Sequence, residues 1–175
     1  MDYSPGLRGV IAGETQISTV GMEGTSLRYR GYDAVGLTNT NTYEDVASLI
    51  IDDDLDGELF KKSFFNHYKK LSEDSGLIEL INRLKTQQHP MDVTRTAISY
   101  IGEADESNKL DSASKVTAIA CLAIASYNKE SSDVLDQKYT VASSLLPNSS
   151  TEQQLEALDD MLILYAEHGF NASTF

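Results

Sequence analysis

Three histidines, one cysteine and a dense run of carboxylates are the side chains of this 175-residue sequence best suited to chemistry. His168 closes an amphipathic stretch, "LILYAEH", and is followed by Gly169 and Asn171, polar punctuation at a turn. An imidazole there can point at an anionic ligand, or can simply lie against the negative end of its own helix. The spacing leaves both readings open. His67, among the aromatic and basic residues of "FFNHYKK", reads as structural, and His89, before Pro90, reads as a helix entry. In "DDDLDGE", Asp52, Asp54, Asp56 and Gly57 fit the opening of a calcium loop, where alternate carboxylates ligate the ion and glycine makes the turn. Such a loop needs a bidentate glutamate at its twelfth position, which counted from Asp52 is Ser63. The run therefore reads as a solvated connection between helices, and no metal site is expected. Cys121, inside "VTAIACLAIA", has no second cysteine for an internal disulfide and reads as a small core residue. Phosphate-cradling loops, dinucleotide glycine patterns, zinc spacings and nucleophile elbows are all lacking in the sequence.

The elements that must position these groups fall into two spans. Residues 1–41 have β character: "ETQISTV" and "TSLRYRG" are rich in β-branched and aromatic residues, and "GMEG" (21–24) joins them as a hairpin loop. Residues 42–175 read as helical. Thr42 with Asp45 approximates a capping box, and Val46, Leu49 and Ile50 give one apolar face. Phe60, Phe64, Tyr68 and Leu71 recur at helical spacing, as do Leu77, Leu80, Ile81 and Leu84. Pro90 begins and Gly102 ends the next segment. The stretch capped by Asp111 and Ser112 is apolar or small nearly all round, which predicts the most buried helix. "DQKYTVASSLL" is shorter. The last helix starts at a Ser150–Gln153 box and presents Leu155, Leu158, Leu162 and Tyr165. About seven helices and one hairpin make the expected fold all-α with a short N-terminal β-hairpin, in one unit spanning 1–175.

Composition narrows the function classes. The formal net charge is −13, from 27 acidic against 14 basic residues, which disfavours nucleic acid and any polyphosphate cofactor held by this chain's own groups. The N-terminus "MDYSPGLRG" lacks a signal peptide's basic and apolar segments, and the apolar run Val116–Ala125 is too short to span a bilayer. A soluble cytoplasmic protein, binding neither nucleic acid nor membrane, is the expectation.

Five blocks then carry a resemblance: "YSPGLRGVIAGETQISTV" (3–20), "LRYRGYDAVGL" (27–37), "TYEDVASLI" (42–50), "HPMDVTRTAISYIG" (89–102) and "LILYAEHGFNASTF" (162–175). In this order they resemble the citrate synthase family, with wording nearest to 2-methylcitrate synthases and similar bacterial and archaeal citrate synthases. The resemblance implies a helical, citrate synthase large-domain fold and a homodimeric enzyme that condenses acetyl-CoA or propionyl-CoA with oxaloacetate. It implies that 90–102 and 112–128 correspond to dimer-interface helices. His168 matches the histidine of the family's H-x-x-N-A-S-T block, which ligates oxaloacetate. The catalytic histidine in "G-x-x-H-G-G-A-N", a second histidine, an aspartate base, several arginines and the CoA contacts lie downstream of the matched blocks. The resemblance thus implies the N-terminal part of a synthase more than twice as long. No catalytic, cofactor or metal residue is expected on this chain. It would be inactive alone and need a partner carrying the other half, or a homo- or heterodimer. The alternative is a non-catalytic helical interaction or regulatory module derived from such a synthase. Three departures stand out: Gly169 replaces the usual glutamate after the ligand histidine, Phe60 replaces the proline of "G-E-L-P", and the connection "NKESSDVLDQK" is short.

Overall fold

Within residues 13–20, 26–100, 102, 107–128, 139–167 and 169, which the computed structural model describes, a small antiparallel sheet leads into a succession of helices. The strands β1 (Ser18–Thr19), β2 (Arg28–Tyr29) and β3 (Tyr32–Asp33) are ordered β1-β2-β3. Ser18 pairs with Tyr29 and Thr19 with Arg28, so the expected hairpin forms; its "GMEG" loop lies outside the described residues. The third strand was not expected. Arg30 and Gly31, with φ of 45° and 89°, form a two-residue turn that pairs Tyr29 with Tyr32 and Arg28 with Asp33. Positive φ is unusual for arginine. Here the side chain holds it: Arg30 Nε donates to Leu49 O and Nη2 to Ile50 O, both at 2.9 Å. These two acceptors belong to the last turn of α2 (Tyr43–Asp52), whose negative end suits a guanidinium.

Before it comes α1 (Ala34–Thr38), a single turn capped by Asp33, inside the span read as β. Helix α2 starts with the Thr42–Asp45 capping box that the spacing predicts. Then follow α3 (Glu58–Ser72), α4 (Ser75–Leu84), α5 (Pro90–Tyr100), α6 (Lys109–Ala125), α7 (Val141–Leu145) and α8 (Glu152–Leu164). Pro90 opens α5, and Gly102 beyond its end has φ 75°, both as expected. Two caps differ from the sequence reading. Asn108 rather than Asp111 caps α6, its side chain accepting from the Asp111 amide. The box of α8 is Thr151–Gln154, because the Ser150 amide is used in a turn on Pro147 O at 2.9 Å.

The main core is built around α6, which packs most extensively on α3, then on α5 and α7. Phe60, Phe64 and Tyr68 of α3 meet Ala118, Ile119 and Leu122 of α6, with Leu77, Ile81, Val93 and Ala97 completing the cluster. Small residues on α6, among them Ser114, Ala118, Ala123 and Ala125, are buried, which lets neighbouring helices approach closely. Cys121 is buried there, as expected. A second cluster, Tyr29, Ala34, Leu37, Val46, Leu49 and Ile163, forms where the sheet, α1, α2 and α8 meet. Only Ile163 of α8 is buried. Leu155, Leu158 and Leu162 are half-buried, and Tyr165 is 82% exposed, so the expected apolar face of α8 is corrected at its end. The helix stops at Leu164, and Tyr165 leaves its line as the C-cap. Among the described residues no helix is long and apolar enough to cross a membrane.

Candidate functional site

The end of α8 leads into the block that carries His168. The Tyr165 amide donates to Met161 O at 3.1 Å and the Ala166 amide to Ile163 O at 3.2 Å, closing the helix. The sheet reaches this end twice. The buried Tyr29 hydroxyl donates to Ile163 O at 2.8 Å, and Ser18 Oγ donates to Glu167 Oε1 at 3.4 Å. Burial raises the Tyr29 phenol above its ordinary value, so it remains a donor at neutral pH. Glu167 Oε1 also accepts the Gly169 amide, so one carboxylate binds both sheet and turn.

His168 itself lies outside the described residues, between Glu167 and Gly169. Gly169 has φ 99°, and a Cβ built on it would meet nothing within 4 Å. Backbone conformation, not space, therefore favours glycine. A glutamate in this conformation would carry strain of about 1–3 kcal/mol.

A second polar region joins α2, α7 and α8. Glu44, 1% exposed, accepts the Val141 amide on Oε1 at 2.7 Å, while its buried Oε2 has no partner among the described residues. Asp159 Oδ2 accepts the Tyr43 amide at 3.1 Å, beside Glu44 in the chain. Burial pushes the Glu44 carboxyl up. Burial, then the charge of Glu44, raises Asp159 to about 6, and burial raises Tyr43 to about 12. Neither acid was singled out from the sequence; each sits among residues of a solvent-facing type, and no spacing marks them.

The acidic run of the α2–α3 connection is occupied by backbone. Asp54 Oδ1 accepts the Asp56 amide at 3.2 Å and Asp56 Oδ1 accepts the Glu58 amide at 3.1 Å. Gly57 is buried because its amide donates to Asp45 Oδ1 at 2.9 Å and the chain crosses the start of α2; a Cβ would lie 2.5 Å from the Asp45 nitrogen. Among the described residues, no group of three or more His, Cys, Asp or Glu could hold a metal ion.

Serine, histidine and aspartate do meet between α3 and α6, in an order that cannot activate a nucleophile. Asp111 Oδ1 accepts Ser63 Oγ at 2.5 Å and contacts His67 Nε2 at 2.9 Å, and Ser114 Oγ donates to Ser63 Oγ at 2.7 Å. A catalytic triad needs histidine between serine and acid; here both converge on the acid. The Ser63 bond, then the His67 bond, lowers the Asp111 pKa. His67 thus bridges two helices, and His89 accepts the Met91 amide on Nδ1 at 3.2 Å at the entry to α5.

Residues 6–175 match the family model described as citrate synthase, C-terminal domain. The chain is 37% identical over 190 residues to a 2-methylcitrate synthase of Shewanella oneidensis, covering 97% of this chain and 49% of that protein. It is 34% identical over 195 residues to 2-methylcitrate synthase 2 of Corynebacterium glutamicum, covering 99% and 51%. The citrate synthase of Thermotoga maritima superposes with a TM-score of 0.75 at 20% identity, over 96% of this chain and 48% of that one. The chain spans about half the length of the curated relatives it matches.

Proposed function

The chain belongs to the citrate synthase family, and on that premise we propose that it supplies the N-terminal half of a synthase that condenses acetyl-CoA or propionyl-CoA with oxaloacetate. The observation that carries this reading is the near-complete coverage of the chain against about half of each relative. His168 is the proposed oxaloacetate ligand, donating a hydrogen bond to a substrate oxygen. The groups that remove a proton from the acyl-CoA methyl or methylene carbon and stabilise the developing oxyanion come from the remaining half. The complete synthase is a homo- or heterodimer assembled through helices 90–102 and 112–128. The setting is the cytoplasm.

Exposed apolar residues support a covering partner. Met161 and Leu164 of α8 are 58% and 41% exposed and, with the exposed Ala157, follow one side of the helix, and the C-cap Tyr165 is 82% exposed. Met91 and Tyr100 of α5 are exposed as well. Apolar side chains exposed along one helix side are available for an interface.

The test is condensation, read as CoA thiol released from acetyl-CoA or propionyl-CoA with oxaloacetate. The 175 residues alone should turn over nothing. Combined with a polypeptide carrying the "G-x-x-H-G-G-A-N" block they should be active, and His168→Ala should weaken oxaloacetate binding in that complex. Robust turnover by the pure chain would overturn the proposal.

A second reading, a non-catalytic helical module that binds and modulates a synthase, is favoured by Gly169 in place of the family's glutamate. It predicts the same apolar docking of α8 and no effect of His168→Ala.

A further inference from the structure

We propose that the junction of α2, α7 and α8 binds one proton between Glu44 and Asp159, and that losing it loosens α8, with the Glu167–Gly169 turn, from α2. The proposal is independent of which reaction the chain serves.

Geometry carries it. Glu44 is 1% exposed, its Oε1 is bonded to the Val141 amide, and its Oε2 has no partner among the described residues. An ionised carboxylate with one dry, unpaired oxygen is costly; protonation removes the charge and turns that oxygen into a donor. Asp159 is anchored on the amide of Tyr43, the residue before Glu44, so a second carboxylate is held at the same helix start. The groups facing the pair are nearly all acidic or neutral. Helix α2 brings Tyr43 and Asp45 and α8 brings Asp160, while Cys121 of α6 acts on Tyr43. Helix α7, "VASSL", contributes no titratable side chain, while Lys61 of α3 is the cation that acts on Glu44. Like charges so placed cannot both ionise cheaply.

Burial raises both carboxyls, Asp159 to about 6. A raised carboxyl holds its proton more tightly in the folded chain than in the unfolded one. Its stabilisation is therefore complete below the unfolded value, about pH 4, and is lost as pH rises through the folded value. The consequence falls on α8 because that helix buries one side chain and depends on polar ties.

Two measurements on the 175-residue chain decide the matter. In a carbon-13 NMR titration of the side-chain carboxyls, Asp159 should titrate near pH 6 and Glu44 above its ordinary value. Hydrogen exchange, corrected for intrinsic rate, should show α8 amides opening about tenfold more often at about pH 8 than at about pH 5, with α6 unchanged; the factor allows for solvent screening of Asp159. Glu44→Gln keeps an acceptor for Val141 and supplies a permanent donor, so it should weaken the pH dependence of α8, and Glu44→Gln combined with Asp159→Asn should abolish it. Both carboxyls titrating in the ordinary range, or α8 protection constant with pH in the wild-type chain, would overturn the proposal whether or not the variant folds.

Discussion

Helices α6 and α8 are both amphipathic or apolar in sequence, yet they live differently. Helix α6 buries Ser114, Ala118, Ile119, Cys121, Leu122, Ala123 and Ala125 among four neighbouring helices. Helix α8 buries Ile163 alone and accepts hydrogen bonds from the Tyr29 hydroxyl and the Tyr43 amide. Around α6 the chain closes its own core; around α8 it leaves apolar side chains uncovered and relies on polar ties. Elements that take part in binding are drawn from the less stable end of a structure. It is α8 that leads to the His168 block.

The strongest test of that contrast cuts into the α6 side. Phe64, fully buried in the α3–α6 cluster, should cost about 3–5 kcal/mol as Phe64→Ala, measured by denaturant unfolding, and the loss should be global. A loss confined to α8, with α6 still protected, would mean that the α3–α6 cluster does not close the core, and the contrast would fail. Gly57→Ala comes next. Its Cβ would fall 2.5 Å from the Glu44 carbonyl carbon and the Asp45 nitrogen, so the α2–α3 crossing must open. The expected cost is about 1–3 kcal/mol by the same method. A neutral result would show that the crossing is soft.

Tyr29→Phe reads the other side. It leaves Ile163 O inside the second cluster without its phenol donor, at a cost of about 1–2 kcal/mol. Hydrogen exchange should report it as more frequent opening at the end of α8, with α6 little changed. Uniform loss of protection would blur the contrast.

How much of this was legible in sequence depended on the range of the forces involved. Local signals served well: the Thr42–Asp45 box, Pro90 at a helix start, Gly102 at positive φ, and the apolar spacings of α3 and α4 all appear as read. Strand β3 was missed because its turn needs Arg30 at φ 45°, and what holds Arg30 there is a pair of carbonyls on α2, twenty residues away in sequence. The face of α8 was misjudged at Tyr165 because helical spacing says nothing of where the helix stops. The site was divided likewise. His168 came from family resemblance and lies outside the described residues, while Glu44 and Asp159 gave no sign, since only the folded packing of α2, α7 and α8 removes their solvent.

The smallest predicted effect opposes two carboxylates by sign. Asp111, on the α6 side, accepts from Ser63 and meets His67, and these bonds lower its pKa, the Ser63 bond most. A lowered carboxyl contributes stability that is present above its unfolded value and lost as pH falls through the folded one. Asp111 is well exposed, so screening reduces the contribution to a few tenths of a kcal/mol, about the worth of a surface ion pair. Asp111→Asn should therefore be slightly less stable than wild type at neutral pH, the gap closing below about pH 4. The Glu44–Asp159 junction should show the reverse, its contribution fading as pH rises. Thermal unfolding of both variants from acid to neutral pH resolves the two slopes. Parallel slopes would mean that the seam beside α6 and the junction beneath α8 face the same solvent, and the contrast between a closed core and a hydrogen-bonded edge would have to be given up.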